Sequence, residues 1–150
     1  MKVKDLMTAK VITVSPADKV DRVFFFFNFE KIRHLPVVEN SRLVGIVSDR
    51  DLKKVLGSLK TSRSVEGKNH EVTVTIRSRT VRTIMRRGVI TTSPNADASE
   101  AAAIMAKNKI GALPVVRKDK LVGIITATDI LKAFVRLSRE YLALAARNGE

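Results

Sequence analysis

Apolar residues fall along this chain in short bursts, and the bursts recur. Residues 11–14 and 89–92 are brief stretches rich in β-branched side chains, each closed by Ser-Pro. That pattern predicts a strand followed by a helix start, because Ser caps free N–H groups and Pro is pre-set for a first helical turn. After the first Ser-Pro, Val20, Val23, Phe24 and Phe27 recur at i, i+3, i+4 and i+7; after the second comes the alanine-rich run 101–105. Both read as helices with one apolar face. Apolar runs at 34–38 and 43–47 flank a polar turn at 39–42, and runs at 112–116 and 121–125 flank another at 117–120. Each pair predicts two strands. Closing helices are expected over 51–56 and 129–137, so the order is strand, helix, strand, strand, helix, twice over.

The two halves are copies of one unit. An offset of 78 residues places Val3 on Val81, Met7 on Met85, Ser15-Pro16 on Ser93-Pro94, Leu35-Pro36 on Leu113-Pro114, Gly45 on Gly123 and Asp51 on Asp129. Aligned without gaps, 3–60 and 81–138 share 20 identities in 58 positions, and all four prolines fall into matched pairs. A copy of under 60 residues is marginal as a domain, so the apolar faces of the two copies are expected to pack on each other. The organisation expected is a first unit over 1–60, a basic linker over 61–78, a second unit over 79–137 and a helical tail over 138–150.

Composition narrows the chemistry. With 45% apolar and 29% charged residues, the 150-residue chain has the make-up of a soluble globular protein. Lys and Arg number 28 against 15 Asp and Glu, a net charge of +13 and a pI near 10.5, which favours polyanionic partners. No cysteine is present, which excludes disulfides and thiolate chemistry, and two histidines, His34 and His70, are too few for a His-based zinc cage. The most apolar unbroken run, 23–27, is far short of a bilayer span and no signal peptide precedes it, so a cytoplasmic location is expected.

The motifs V-I-T-V-S-P, H-L-P-V-V and L-V-G-I-V-S-D-R-D, repeated as V-I-T-T-S-P, A-L-P-V-V and L-V-G-I-I-T-A-T-D, carry a resemblance. In this order the sequence resembles a tandem pair of cystathionine-β-synthase (CBS) domains, the Bateman module, and is most similar to stand-alone pairs of the acetoin-utilisation type. Such relatives often continue into a further small domain, which is not expected here, with the sequence ending at Glu150. The resemblance implies an α+β fold of two β-α-β-β-α units packed pseudo-two-fold through their sheets. It also implies clefts between the units that take adenine nucleotides (AMP, ADP or ATP) or S-adenosylmethionine.

The residues at those motifs suit such a ligand. Ser48 with Asp51, and Thr126 with Asp129, lie near a helix start, where a hydroxyl and free N–H groups hold a phosphate and a carboxylate accepts ribose hydroxyls. Thr128 adds a donor in copy two; Arg50 stands in its register in copy one, able to fork onto phosphate oxygens. Gly45 and Gly123 permit close backbone approach. The plain alternative is that these pairs only cap the last helix of each copy. Ile12, Thr13 and Val14, and Ile90, Thr91 and Thr92, are expected to wall the adenine, against plain core burial. Lys31, Arg33 and His34 are phosphate candidates; copy two keeps Lys109 but has Gly111 and Ala112 opposite Arg33 and His34, which predicts two unequal clefts.

Two features lie outside the motifs. Phe24 to Phe27 plus Phe29 cannot all face one side of a helix, so Phe24 and Phe27 are expected in the core and Phe25, Phe26 or Phe29 at a homodimer interface. Residues 61–87 hold seven basic side chains against two acidic ones, with Val72, Val74 and Ile76 alternating as in a short strand. His70 in this stretch is expected to be exposed. Three functions therefore compete: a nucleotide-responsive regulatory module acting on an unknown partner, a nucleic-acid-associated or protein-interaction module using the basic surface, and an enzyme. No nucleophile, base and orienter assemble from these motifs, so catalysis is not expected and no catalytic cofactor or metal is assigned.

Overall fold

The structure, a computed structural model, describes residues 1–61 and 78–149. Val72, Val74, Ile76, His70 and most of the basic stretch lie outside them. The elements are helix α1 (Val20–Phe29), strands β1 (His34–Glu39) and β2 (Arg42–Ser48), helix α2 (Asp49–Thr61), helix α3 (Ala98–Asn108), strands β3 (Ala112–Arg117) and β4 (Lys120–Thr126), and helix α4 (Ala127–Asn148). Short 3-10 turns, Val3–Asp5 and Val81–Thr83, precede each set. The fold is mixed α and β. Of the expected tail over 138–150, the part to Asn148 is the second half of α4, one unbroken helix.

The chain divides into two compact units, residues 12–89 and residues 1–11 with 90–150. The repeat in sequence and the unit in space are therefore offset: the first eleven residues join the second hairpin, and residues 79–89 join the first. Backbone hydrogen bonds make the exchange. Val3 N–H donates to the Ala96 carbonyl (3.0 Å) and Lys4 N–H to that of Pro94 (2.9 Å). At the equivalent places Val81 N–H donates to Asp18 (2.8 Å) and Arg82 N–H to Pro16 (3.0 Å).

In the unit formed by 12–89, β1 and β2 pair antiparallel, His34 opposite Ser48 and Val37 opposite Gly45. Val14 joins β1 in parallel through one bridge, and Arg86 joins β2 at Ile46. The other unit repeats the plan, with Ala112 opposite Thr126, Thr92 beside Val115 and Thr8 beside Ile124. The strands expected at 11–14 and 89–92 are thus extended segments held by one bridge each. The Ser-Pro that ends them does not open the helix either. Ser15 N–H instead donates to Asp18 Oδ2 (2.8 Å) in a turn, and α1 begins at Val20, whose N–H reaches the Arg79 carbonyl (3.0 Å).

Each unit has its own core. Val14, Val20, Val23, Leu35, Val37, Val47, Leu52, Val81 and Ile84 fill one; Val3, Ala101, Met105, Leu113, Val115 and Ile125 fill the other. Full burial of a leucine such as Leu35 or Leu113 contributes roughly 1.5–3 kcal/mol. Among the phenylalanines, Phe26 and Phe27 pack partly against the first core. Phe24, expected inside, is exposed with Phe25 and Phe29, and the buried residues of α1 are Val20 and Val23.

Candidate functional site

The carboxylates singled out by the repeat sit in the first turn of α2 and of α4, and both cap their helix. Thr126 N–H and Oγ1 each donate to Asp129 Oδ2 (2.8 Å), and Asp129 N–H returns to Thr126 Oγ1 (3.3 Å), a closed capping box. In copy one Ser48 N–H and Oγ donate to Asp51 Oδ2 (2.9 Å each), and Asp51 N–H donates to Ser48 Oγ (3.2 Å). Capping uses only one oxygen of each carboxylate. Among the described residues Asp129 Oδ1 has no partner, whereas Asp51 Oδ1 accepts from Arg86 Nε at 3.0 Å. Asp51 is buried and Asp129 half-buried.

Hairpin register carries the other candidates toward these caps. His34 lies opposite Ser48, and the Arg33 carbonyl accepts from Asp49 N–H (3.0 Å). Ala112, buried, lies opposite Thr126, and the Gly111 carbonyl accepts from Ala127 N–H (2.9 Å). Ile12 and Ile90, at two matched places, are both 39% exposed, so neither side chain is buried in a core. The backbone groups of Thr13 and Thr91 have no partner among the described residues. The N–H and carbonyl of Val14 and of Thr92 are spent on Pro36 and Val38, and on Pro114 and Val116. Val14 also places its side chain in the core.

Arg33 and Arg50 are exposed at the edge of the copy-one set, and Thr128 is exposed in copy two. Burial holds the His34 imidazolium disfavoured, so its pKa lies below the ordinary 6.5; Asp49 and Asp51 oppose this and Arg33 and Arg50 reinforce it. Lys31 and Lys109 serve the backbone at helix ends, each with φ of +53°. The close approach at Gly45 and Gly123 is also internal. A Cβ on Gly45 would meet the Met85 sulfur at 2.8 Å and the Arg86 carbonyl at 3.0 Å; one on Gly123 would meet the Met7 sulfur at 2.6 Å and the Thr8 carbonyl at 3.0 Å. The repeat did not single out Arg86 or Thr8, although the 78-residue offset aligns them with each other.

Among the described residues no group of three or more His, Cys, Asp or Glu side chains is placed to hold a metal ion. No helix among them is long and apolar enough to cross a membrane.

Comparison with known proteins agrees with the repeat. The CBS domain family pattern matches residues 3–58 and 81–136. The chain is 30% identical to the CBS domain-containing protein YhcV of Bacillus subtilis over 146 residues, covering 97% of this chain and 93% of YhcV. It is 36% identical over 133 residues to MJ1225 of Methanocaldococcus jannaschii, of which it spans 46%. A Vibrio cholerae structure assigned to acetoin utilization (AcuB) has a TM-score of 0.74 at 34% identity and covers 93% of both chains. The CBS pair of MJ0100, solved with 5′-methylthioadenosine and S-adenosyl-L-methionine, has a TM-score of 0.73 at 29% identity, covering 89% of this chain and 95% of that one. CBSX2, solved with AMP, has a TM-score of 0.74 at 26% identity, covering 91% and 98%. This chain belongs to the CBS domain family and carries two CBS domains in tandem.

Proposed function

We propose that this CBS pair is a cytoplasmic regulatory module that binds an adenosine-containing ligand, an adenine nucleotide or S-adenosylmethionine, and passes a conformational change to a partner protein. The observation that carries the reading is the second oxygen of Asp129. A carboxylate fixed by a capping box, with one oxygen left over, is pre-organised to accept the two vicinal hydroxyls of a ribose without reorganising. Ile90, exposed, and the unpartnered backbone of Thr91 offer an apolar face and hydrogen bonds of the kind a purine uses. Relatives solved with AMP, and with 5′-methylthioadenosine and S-adenosyl-L-methionine, support the same class of ligand.

Regulation requires that the ligand prefer one of two conformations of the protein. The surface for passing that preference on is the exposed apolar side of α4, with Leu131, Phe134, Tyr141 and Leu142 each more than 60% exposed. We assign it, with the Phe25 and Phe29 patch, to homodimer and partner contacts. Light scattering at micromolar concentration gives a dimer mass on this reading, and a monomer mass removes the dimer from it.

Thermal denaturation tests the ligand. AMP, ATP or S-adenosylmethionine at 100 times its dissociation constant raises stability by about 2.7 kcal/mol. Asp129→Asn keeps an acceptor for Thr126 and removes the charge, so it is expected to abolish the shift for a ligand held there. If none of these ligands at millimolar concentration moves the melting curve, the adenosine reading is wrong. Short oligonucleotides at two salt concentrations serve as the comparison, since binding through the +13 charge would fall steeply with salt.

A further inference from the structure

The two capped carboxylates have the same local geometry but different company, and one difference touches the carboxylate itself. In residues 12–89, Arg86 Nε donates to Asp51 Oδ1 at 3.0 Å, with the Asp51 side chain 9% exposed and that of Arg86 52% exposed. In the other unit the aligned residue is Thr8, which makes its backbone pair with Ile124 and no bond to Asp129. The surroundings differ in the same direction: Arg33, His34 and Arg50 in copy one stand where copy two has Gly111, Ala112 and Thr128.

Resting on the adenosine reading above, we infer that Arg86 is a specificity-determining latch that closes the Asp51 site to neutral nucleosides and opens it to phosphorylated ones. For a ribose to take Asp51 Oδ1, the guanidinium must leave a mostly buried carboxylate. Separating such a pair costs more than breaking an exposed one, because the buried charge is left unpaired. A neutral nucleoside gives the displaced Arg86 nothing in return. A nucleotide brings an anion that a guanidinium binds through paired N–H donors, with Arg33 and Arg50 adding positive charge at the same edge. The Asp129 site has no such latch and takes adenosine and AMP alike.

Isothermal calorimetry with adenosine and with AMP decides this. Wild-type protein is expected to bind one adenosine per chain, lost in Asp129→Asn, and two AMP. Arg86→Thr, which gives copy one the copy-two residue, is expected to bind two adenosines. Thr8→Arg, the converse change, is expected to weaken adenosine at the Asp129 site about tenfold or more, as for loss of a hydrogen bond to a charged group. Two equal adenosine sites in wild-type protein, one adenosine in Arg86→Thr, or a single AMP in wild-type protein would each overturn the latch while leaving adenosine binding standing. No binding of adenosine, AMP or S-adenosylmethionine to any variant overturns the adenosine reading and the latch together.

Discussion

At the residue scale, the two glycines of the repeat are the sharpest test of how the structure spends its sequence. In L-V-G-I they read as permitting close backbone approach; in the structure that approach is made by the chain's own Met7-Thr8 and Met85-Arg86 segments. Gly123→Ala is therefore expected to destabilise by about 1–3 kcal/mol through overpacking, measured by urea unfolding. Gly57→Ala in α2, where an added Cβ meets nothing within 4 Å, is expected to stabilise by roughly 0.5–1 kcal/mol. His34 supplies the pH dependence. Its pKa is held below 6.5, so on acidification the unfolded chain takes up the proton first. The stability it contributes is complete above about pH 6.5 and is lost as pH falls toward the folded value. His34→Ala, which installs the residue that copy two carries as Ala112, should flatten the urea midpoint between pH 7 and 5 relative to wild type. An unchanged slope would place the titration elsewhere.

At the element scale, unbroken apolar runs on either side of a polar turn located all four strands to within a residue, because consecutive residues of β1 and of β3 are buried. Their two turn residues all have positive φ: Asn40 at +50°, Ser41 at +65°, Lys118 at +49° and Asp119 at +64°. That is type I′ geometry, which Asn-Gly fits best. The double change Lys118→Asn with Asp119→Gly is expected to raise stability by about 1 kcal/mol, since lysine has no local hydrogen bond to offset the left-handed conformation. Thermal unfolding at neutral pH checks it, and a loss of stability would contradict the turn assignment. Helix starts were less legible. Ser-Pro signals a cap, but Ser15 is drawn into a turn by Asp18, three residues on, and the N–H of Val20 is met by Arg79, 59 positions away. The caps at Ser48 and Thr126, by contrast, are satisfied within three residues and could be read directly from S-D-R-D and T-A-T-D.

At the scale of the whole molecule, the duplication was the most legible feature and the exchange of first segments the least. A 78-residue offset aligns two sequences, but it cannot say that Val3 hydrogen-bonds to Ala96 and Val81 to Asp18, since backbone groups leave no mark on residue type. The candidate site follows the same division. Asp51 and Asp129 were identifiable from the repeat; the Arg86 ion pair that separates them spans 35 residues of chain and appears only in the fold. Duplication followed by a change at one aligned pair, Thr8 and Arg86, gives two caps of equal shape and unequal charge. The most direct measurement of ligand binding is a crystal structure of the protein with 5′-methylthioadenosine. The predicted result is a ligand whose ribose hydroxyls lie within hydrogen-bonding distance of Asp129 Oδ1 and whose adenine lies against Ile90 and Thr91. A ligand bound elsewhere, with that oxygen untouched, would contradict the assignment.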